Sequence, residues 1–116
     1  MHMKSIISVF LLIGSLGYAQ FALSDCFYPK MNVNIPNGST ATMEEMVAAQ
    51  ASFKAYNADM EAYLECLDDE IALVSEDLDI YPDIKKASDL KYDAAVDVLT
   101  QAAEEWNQAV RDYKAQ

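Results

Sequence analysis

The side chains that could carry chemistry in this 116-residue chain are two cysteines, one histidine and nineteen carboxylates. The only histidine is His2, which lies in a leader that we expect to be removed. The remaining chain would then have no imidazole for a catalytic triad or a usual zinc site. Cys26 and Cys66 lie 40 positions apart without a Cys-x-x-Cys motif, which favours a structural disulfide over a redox pair. We therefore predict a protein that is not an enzyme.

Carboxylate pairs are the remaining source of catalysis, because glycosidase-like chemistry needs only two acids at a fixed separation in a cleft. Neighbouring acids that offer such pairs are Glu61, Glu65, Asp68 and Asp69. A small helical protein has no obvious cleft that would raise the pKa of one member. We interpret these side chains as a solvated acidic face, with a carboxylate hydrolase as the alternative.

Hard-cation binding is a second possibility, because calcium prefers carboxylate oxygens. The weak candidates for a metal site are Asp68, Asp69, Glu70, Asp77, Asp79 and Asp83. The second group fails the EF-hand pattern, since Pro82 stands where the loop needs Gly and Ser88 where it needs the bidentate Glu. We predict weak counterion binding, no dedicated metal site and no cofactor, with an acidic calcium-binding envelope protein as the alternative.

Residues 1–19 are predicted to be a cleavable signal peptide. Lys4 precedes an apolar stretch, residues 6–13, which is too short to be a permanent membrane span, and Gly17-Tyr18-Ala19 places small residues before a cut at Gln20. We expect a secreted protein, periplasmic or extracellular, with no membrane span in the mature chain. A lipid anchor on Cys26 is the alternative, but Asp25 stands where a lipobox needs a small residue.

Removal of the leader takes away Lys4 and leaves seven basic against nineteen acidic residues, a net charge of 7 − 19 = −12. Such a surface repels nucleic acid. Two cysteines in an exported chain are most simply paired with each other, because oxidising compartments keep disulfides. A loop from Cys26 to Cys66 would stabilise the fold by about 4 kcal/mol on the chain-entropy estimate.

The mature chain is predicted to begin with an extended segment, residues 20–41, because it contains Pro29, Pro36 and Gly38 and no helical period. A capping box, Thr42 to Glu45, then starts a helix. Apolar residues recur at intervals of seven along it, namely Met46, Phe53, Met60, Leu67 and Val74. We predict a helix over about residues 43–79 and a turn at 79–83, where Pro82 breaks the pattern.

A second helix is predicted over about residues 83–115. It has large residues at intervals of seven beside a row of alanines: Tyr92, Leu99, Trp106 and Tyr113, with Ala95, Ala102 and Ala109. This pattern favours core packing of the aromatic rings over a ligand platform, and the alanines allow close approach of two helices. We predict an all-α fold in which residues 42–116 form an antiparallel two-helix hairpin.

The extended segment can cover the seam of that hairpin. The 16 residues from Cys26 to Thr42 are long enough to run back along the first helix from Cys66. We predict that four apolar side chains of the segment form a third layer in the groove, Phe27, Tyr28, Val33 and Ile35. A three-helix bundle with residues 24–36 helical is disfavoured by Pro29 and Pro36.

The chain resembles a group of small secreted proteobacterial helical proteins with two cysteines. The residues that carry the resemblance are Cys26, Pro36, Gly38, Ala41-Thr42, Glu45-Met46, Ala49-Gln50, Tyr63-Leu64-Glu65-Cys66-Leu67 and Tyr92-Asp93-Ala94-Ala95-Val96-Asp97. The resemblance implies export and paired cysteines and brings no activity with it. We expect a binding or structural protein that acts through contacts with a protein partner or with itself.

Overall fold

The computed structural model describes residues 26–116, which form an antiparallel hairpin of two long helices. An extended segment, residues 26–41, precedes the first helix, α1 (Met43–Ala72), and the second helix is α2 (Tyr81–Lys114). The predicted all-α hairpin is confirmed. The predicted signal peptide, residues 1–19, lies outside the described residues.

The start of α1 is the predicted capping box. The Thr42 Oγ1 accepts a hydrogen bond from the Glu45 backbone N–H at 3.2 Å, and the Thr42 N–H donates to Glu45 Oε2 at 3.3 Å. Two N–H groups that have no partner within the helix are thereby satisfied. The acidic side chains of Glu44 and Glu45 also suit the positive end of the helix dipole.

The end of α1 is not where the sequence predicts it. The helix stops at Ala72 instead of residue 79, and residues 73–80 form a connection of successive turns. The last turn of α1 has no Lys or Arg, and the acidic residues that follow it add negative charge at the negative end of the dipole. The Ser75 Oγ also accepts from the Asp77 N–H, a local bond that competes with helix formation.

Helix α2 begins at Tyr81, two residues before the predicted start at about 83, and the connection, residues 73–80, lies mostly before the predicted turn near 79–83. Pro82 lies in the first turn of α2, where the N–H that proline lacks would have no partner within the helix. Asp83 in the first turn and Arg111 and Lys114 in the last turn complement the helix dipole. Proline therefore starts this helix and does not interrupt one.

Two apolar clusters hold the hairpin together. The buried residues of the first are Tyr56, Met60, Tyr63, Leu67 and Ala95, and those of the second are Ala41, Met46 and Ala109. The whole alanine row of α2, Ala95, Ala102 and Ala109, is buried. Small side chains at these positions let the α2 backbone approach its neighbours closely, as the spacing of seven predicts.

The extended segment forms the predicted third layer in part. Val33 packs against the first cluster and Ile35 against the second, and the Tyr28 ring meets the Tyr63 ring edge to face at 5.2 Å. Phe27 is 83% exposed, so its predicted place in the groove is wrong. The neighbouring Cys26 is bonded to α1 through Cys66, whereas Phe27 lies at the rim of a shallow surface depression beside α1, mostly in solvent.

A close backbone contact fastens the segment to α2 at Gly38. The Asn37 carbonyl accepts from the Thr40 and Ala41 N–H groups, and the resulting turn presses Gly38 onto α2 at Ala109. A Cβ atom on Gly38 would overlap the Ala109 carbonyl oxygen and lie 2.8 Å from its carbon. The Gln116 side-chain amide donates to the Gly38 and Ala41 carbonyls from the end of α2.

We predict that Gly38→Ala lowers the free energy of unfolding by about 2 kcal/mol or more, because the added methyl meets helix backbone that cannot yield. The measurement is thermal and urea unfolding followed by circular dichroism. Ser39→Ala is the matched control: Ser39 is exposed in the same turn, so we expect a change within about 0.5 kcal/mol. Equal stability of the two variants would contradict the close contact.

Two buried tyrosines make the stability of the fold decrease at alkaline pH. Burial raises the pKa of Tyr56 and Tyr63 above the ordinary 10.0, and repulsion from Tyr28 adds to this in both. The folded state therefore holds these protons more tightly than the unfolded state. The stabilisation is fully present below pH 10 and is lost as the pH rises through the raised pKa.

We predict that the double variant Tyr56→Phe, Tyr63→Phe loses less stability between pH 9 and pH 11 than the wild type, because phenylalanine has no proton to release. The measurement is the urea midpoint at each pH, with tyrosinate absorbance recorded in parallel. An equal alkaline loss in both proteins would show that the two hydroxyls are not responsible.

Candidate functional site

The end of the hairpin where α1 passes into α2 carries an apolar cleft of about 360 Å³. Its lining comes from the last turns of α1, the connection and the first turns of α2: Leu67, Glu70, Ile71, Val74, Ile84, Ala87, Ser88 and Lys91. Most of this lining is aliphatic, and Glu70 and Lys91 supply its charges. The cleft therefore suits a ligand that places an apolar side chain among the aliphatic residues and polar groups next to the two charged ones.

Large apolar side chains next to the cleft are exposed. In the connection, Leu73 is 85% exposed and Ile80 is 59% exposed, and Leu78 is also exposed. We call these three residues and the cleft together the tip surface. Exposed apolar residues that lie this close together on a small protein mark contact surfaces more often than scattered ones do.

The charge around the tip surface is strongly negative. Residues 68–83 contain seven acidic and no basic side chains. Lys85 follows on α2, but its Nζ is paired with Asp89 Oδ2 at 3.1 Å, which also raises the pKa of Lys85. With Lys86 and Lys91 included, residues 68–91 hold three basic and eight acidic side chains, so this end keeps a net charge of 3 − 8 = −5.

Cys26 and Cys66 form a disulfide with a Cα–Cα distance of 5.6 Å. The predicted pairing is confirmed, and both residues are half-buried. Glu70 lies one helical turn beyond Cys66, and its carboxylate and both sulfur atoms lie within 4.8 Å of one another. Glu70 also lines the cleft, so the disulfide and the tip surface are neighbours.

The acidic metal candidates do not converge. Asp68 and Asp69 are exposed on α1, Asp77 and Asp79 lie in the connection, and Asp83 is in the first turn of α2. Of the six candidates, only Glu70 joins a cluster of potential metal ligands within residues 26–116, and its companions there are the two cysteines. The Asp77, Asp79 and Asp83 carboxylates form no such cluster in the described part of the chain.

The carboxylates considered for hydrolysis lie on the outer face of α1. Glu61 and Glu65 are exposed, and the Glu61 carboxylate accepts a hydrogen bond from Asn57 Nδ2 at 3.1 Å. Asp68 and Asp69 are exposed as well. None of these four residues lines the cleft at the tip. Their placement fits the interpretation of a solvated acidic face.

The aromatic row of α2 takes part in packing, as predicted. Tyr92 packs against the first core cluster, and Trp106 and Tyr113 pack against the second. The Trp106 ring stacks on Phe53 of α1 with centroids 6.2 Å apart and an interplanar angle of 14°. These contacts fit the interpretation of the rings as packing residues.

The cleft itself is the feature that sequence reasoning missed. Ile71 and Val74 look like members of the core stripe of a longer α1, and Ile84 belongs to no obvious stripe. The available signal is the run of acidic residues after Ala72, which is unfavourable at a helix end. Recognising it would have shortened α1 and left these apolar residues at the end of the hairpin.

Within residues 26–116, neither helix contains a stretch that is both long and apolar enough to cross a bilayer. Comparison of the chain with protein-family models, with curated proteins and with solved structures finds no match.

Proposed function

We propose that this is an exported, non-enzymatic protein that binds a partner protein through the tip surface. The observation that carries the proposal is an apolar cleft together with the exposed Leu73, Leu78 and Ile80 of the connection, the segment that also supplies Val74 to the cleft lining. Burial of these side chains by a partner would remove apolar area from water, which is the main source of affinity at most protein interfaces.

The partner that fits best is an amphipathic helix with apolar anchors and basic flanks. Apolar side chains at helical spacing would enter the cleft between Ile71 and Ile84. Lysines or arginines beside them would be attracted by the negative charge of the segment 68–83, which holds seven acidic residues. Opposite charges speed association and select against acidic partners, so binding should weaken as salt is added.

The direct test uses two synthetic helical peptides with the same leucine pattern, one with lysine flanks and one with glutamate flanks. We predict that the lysine peptide binds the wild-type protein and that the glutamate peptide does not. The double variant Leu73→Ser, Ile80→Ser should bind the lysine peptide at least tenfold more weakly. Isothermal calorimetry at physiological salt gives the affinities.

The matched control is Met43→Ser, Val47→Ser, which removes two exposed apolar side chains at the opposite end of α1. We expect this variant to bind like the wild type. Equal affinity of the two double variants would mean that the peptide is attracted to the acidic surface in general. A concentration-dependent dimer in sedimentation that buries Leu73 would instead identify a second copy as the occupant of the tip surface.

Export is supported by the predicted leader and by the disulfide, because oxidising compartments are where such bonds persist. We predict that the intact mass of protein from an envelope or secreted fraction starts at Gln20 and gains two alkyl groups only after reduction. A mass that retains residues 1–19 would contradict cleavage. A lipid-sized addition to the mass at Cys26 would show that this residue carries a membrane anchor and is not part of a disulfide.

A further inference from the structure

Three potential metal ligands meet where the extended segment is bonded to α1. The sulfur atoms of Cys26 and Cys66 and a carboxylate oxygen of Glu70 lie within 4.8 Å of one another. Cys66 and Glu70 are four residues apart on α1, so they share one face of the helix, and the extended segment delivers Cys26 to the same place. All three residues are half-buried and thus reachable from solvent.

We propose that reduction of the disulfide converts this cluster into a binding site for one zinc ion. The two cysteine thiolates and the Glu70 carboxylate would be the protein ligands. Zinc accepts sulfur and oxygen ligands in a tetrahedral arrangement, and with three protein ligands the fourth position is left for water. The thiolates make the site selective for zinc over calcium, because calcium prefers oxygen ligands alone.

Reduction of the Cys26–Cys66 bond needs a reductant, which would be a protein dithiol that acts by thiol–disulfide exchange. One thiolate of the dithiol attacks a sulfur of the Cys26–Cys66 bond, and its second thiol resolves the mixed disulfide. The dithiol is oxidised to a disulfide, and the two electrons and two protons end on Cys26 and Cys66 as thiols. Zinc then displaces those two protons and binds the two thiolates together with the Glu70 carboxylate.

The geometry needs little backbone movement. Two sulfurs bound to one zinc ion at about 2.3 Å each lie roughly 3.8 Å apart in a tetrahedral site. Side-chain rotation at both cysteines can provide this separation, because their Cα atoms are already 5.6 Å apart. The metal would then tie the extended segment to α1 at the same point as the disulfide does.

The test uses the full chain, reduced with a phosphine that is then removed without air, and titrated with zinc or calcium in a calorimeter. We expect one zinc ion per chain, a higher melting temperature of the reduced protein with zinc, and no such effect of calcium. The oxidised chain should not bind zinc at this stoichiometry. Failure of the reduced chain to bind zinc would overturn the proposal, whatever the tip surface binds.

Two variants test the third ligand. Glu70→Gln should weaken zinc binding to the reduced chain at least tenfold, whereas Asp69→Asn, which removes the same charge from the neighbouring exposed residue, should leave it unchanged. Equal affinities of the two variants for zinc would overturn the three-ligand site. An unfolded chain that binds zinc through its two cysteines alone would give this result. Circular dichroism of each reduced variant records whether the helices persist.

Discussion

The Cys26–Cys66 disulfide determines how the rest of this structure is arranged. Two packed helices bury only one stripe of each, and a chain this short has little apolar surface to spare. The disulfide closes a loop of 40 residues and lays the extended segment over the seam, where Val33 and Ile35 join the two clusters. The loss of unfolded-state entropy from such a loop is worth about 4 kcal/mol, a large share of the stability of a small protein.

The position of the disulfide also explains why one end of the hairpin is open. From Cys66 the segment runs back towards the start of α1, and it ends against α2 at the contact of Gly38 with Ala109. Within residues 26–116 it therefore covers most of the hairpin, from Cys66 to the end where α1 starts and α2 finishes. The end beyond the disulfide is left uncovered by this segment, and there Leu73, Leu78 and Ile80 face solvent.

Charge shapes that open end in two ways. The acidic residues after Ala72 are unfavourable at the negative end of α1, so the helix stops and the chain forms an irregular connection. The same residues surround the tip surface with negative charge, which narrows the kind of partner that can approach it. Glu70 connects the cleft with the disulfide, since its side chain lines the cleft and its carboxylate lies beside the two sulfur atoms.

The local signals in the sequence were sufficient for the elements whose physics is local. The capping box from Thr42 to Glu45 fixes the start of α1, and the spacing of seven among Ala95, Ala102 and Ala109 identifies the face of α2 that is buried. The disulfide was predictable because the chain has two cysteines and its first 19 residues predict export. Each of these inferences depends on neighbouring residues or on counting residue types.

Tertiary structure decided the features that depend on competition between signals. Apolar spacing continues past Ala72, but dipole repulsion and the Ser75 turn outweigh it, so Val74 lines a cleft and does not extend the core. Phe27 is an apolar residue that the sequence places in the groove, yet it is exposed beside the cysteine that is bonded to α1. Glu70 meets both cysteines only because the disulfide brings a distant segment to its side of α1. Sequence spacing alone could not reveal that encounter, since it depends on how a 40-residue loop closes.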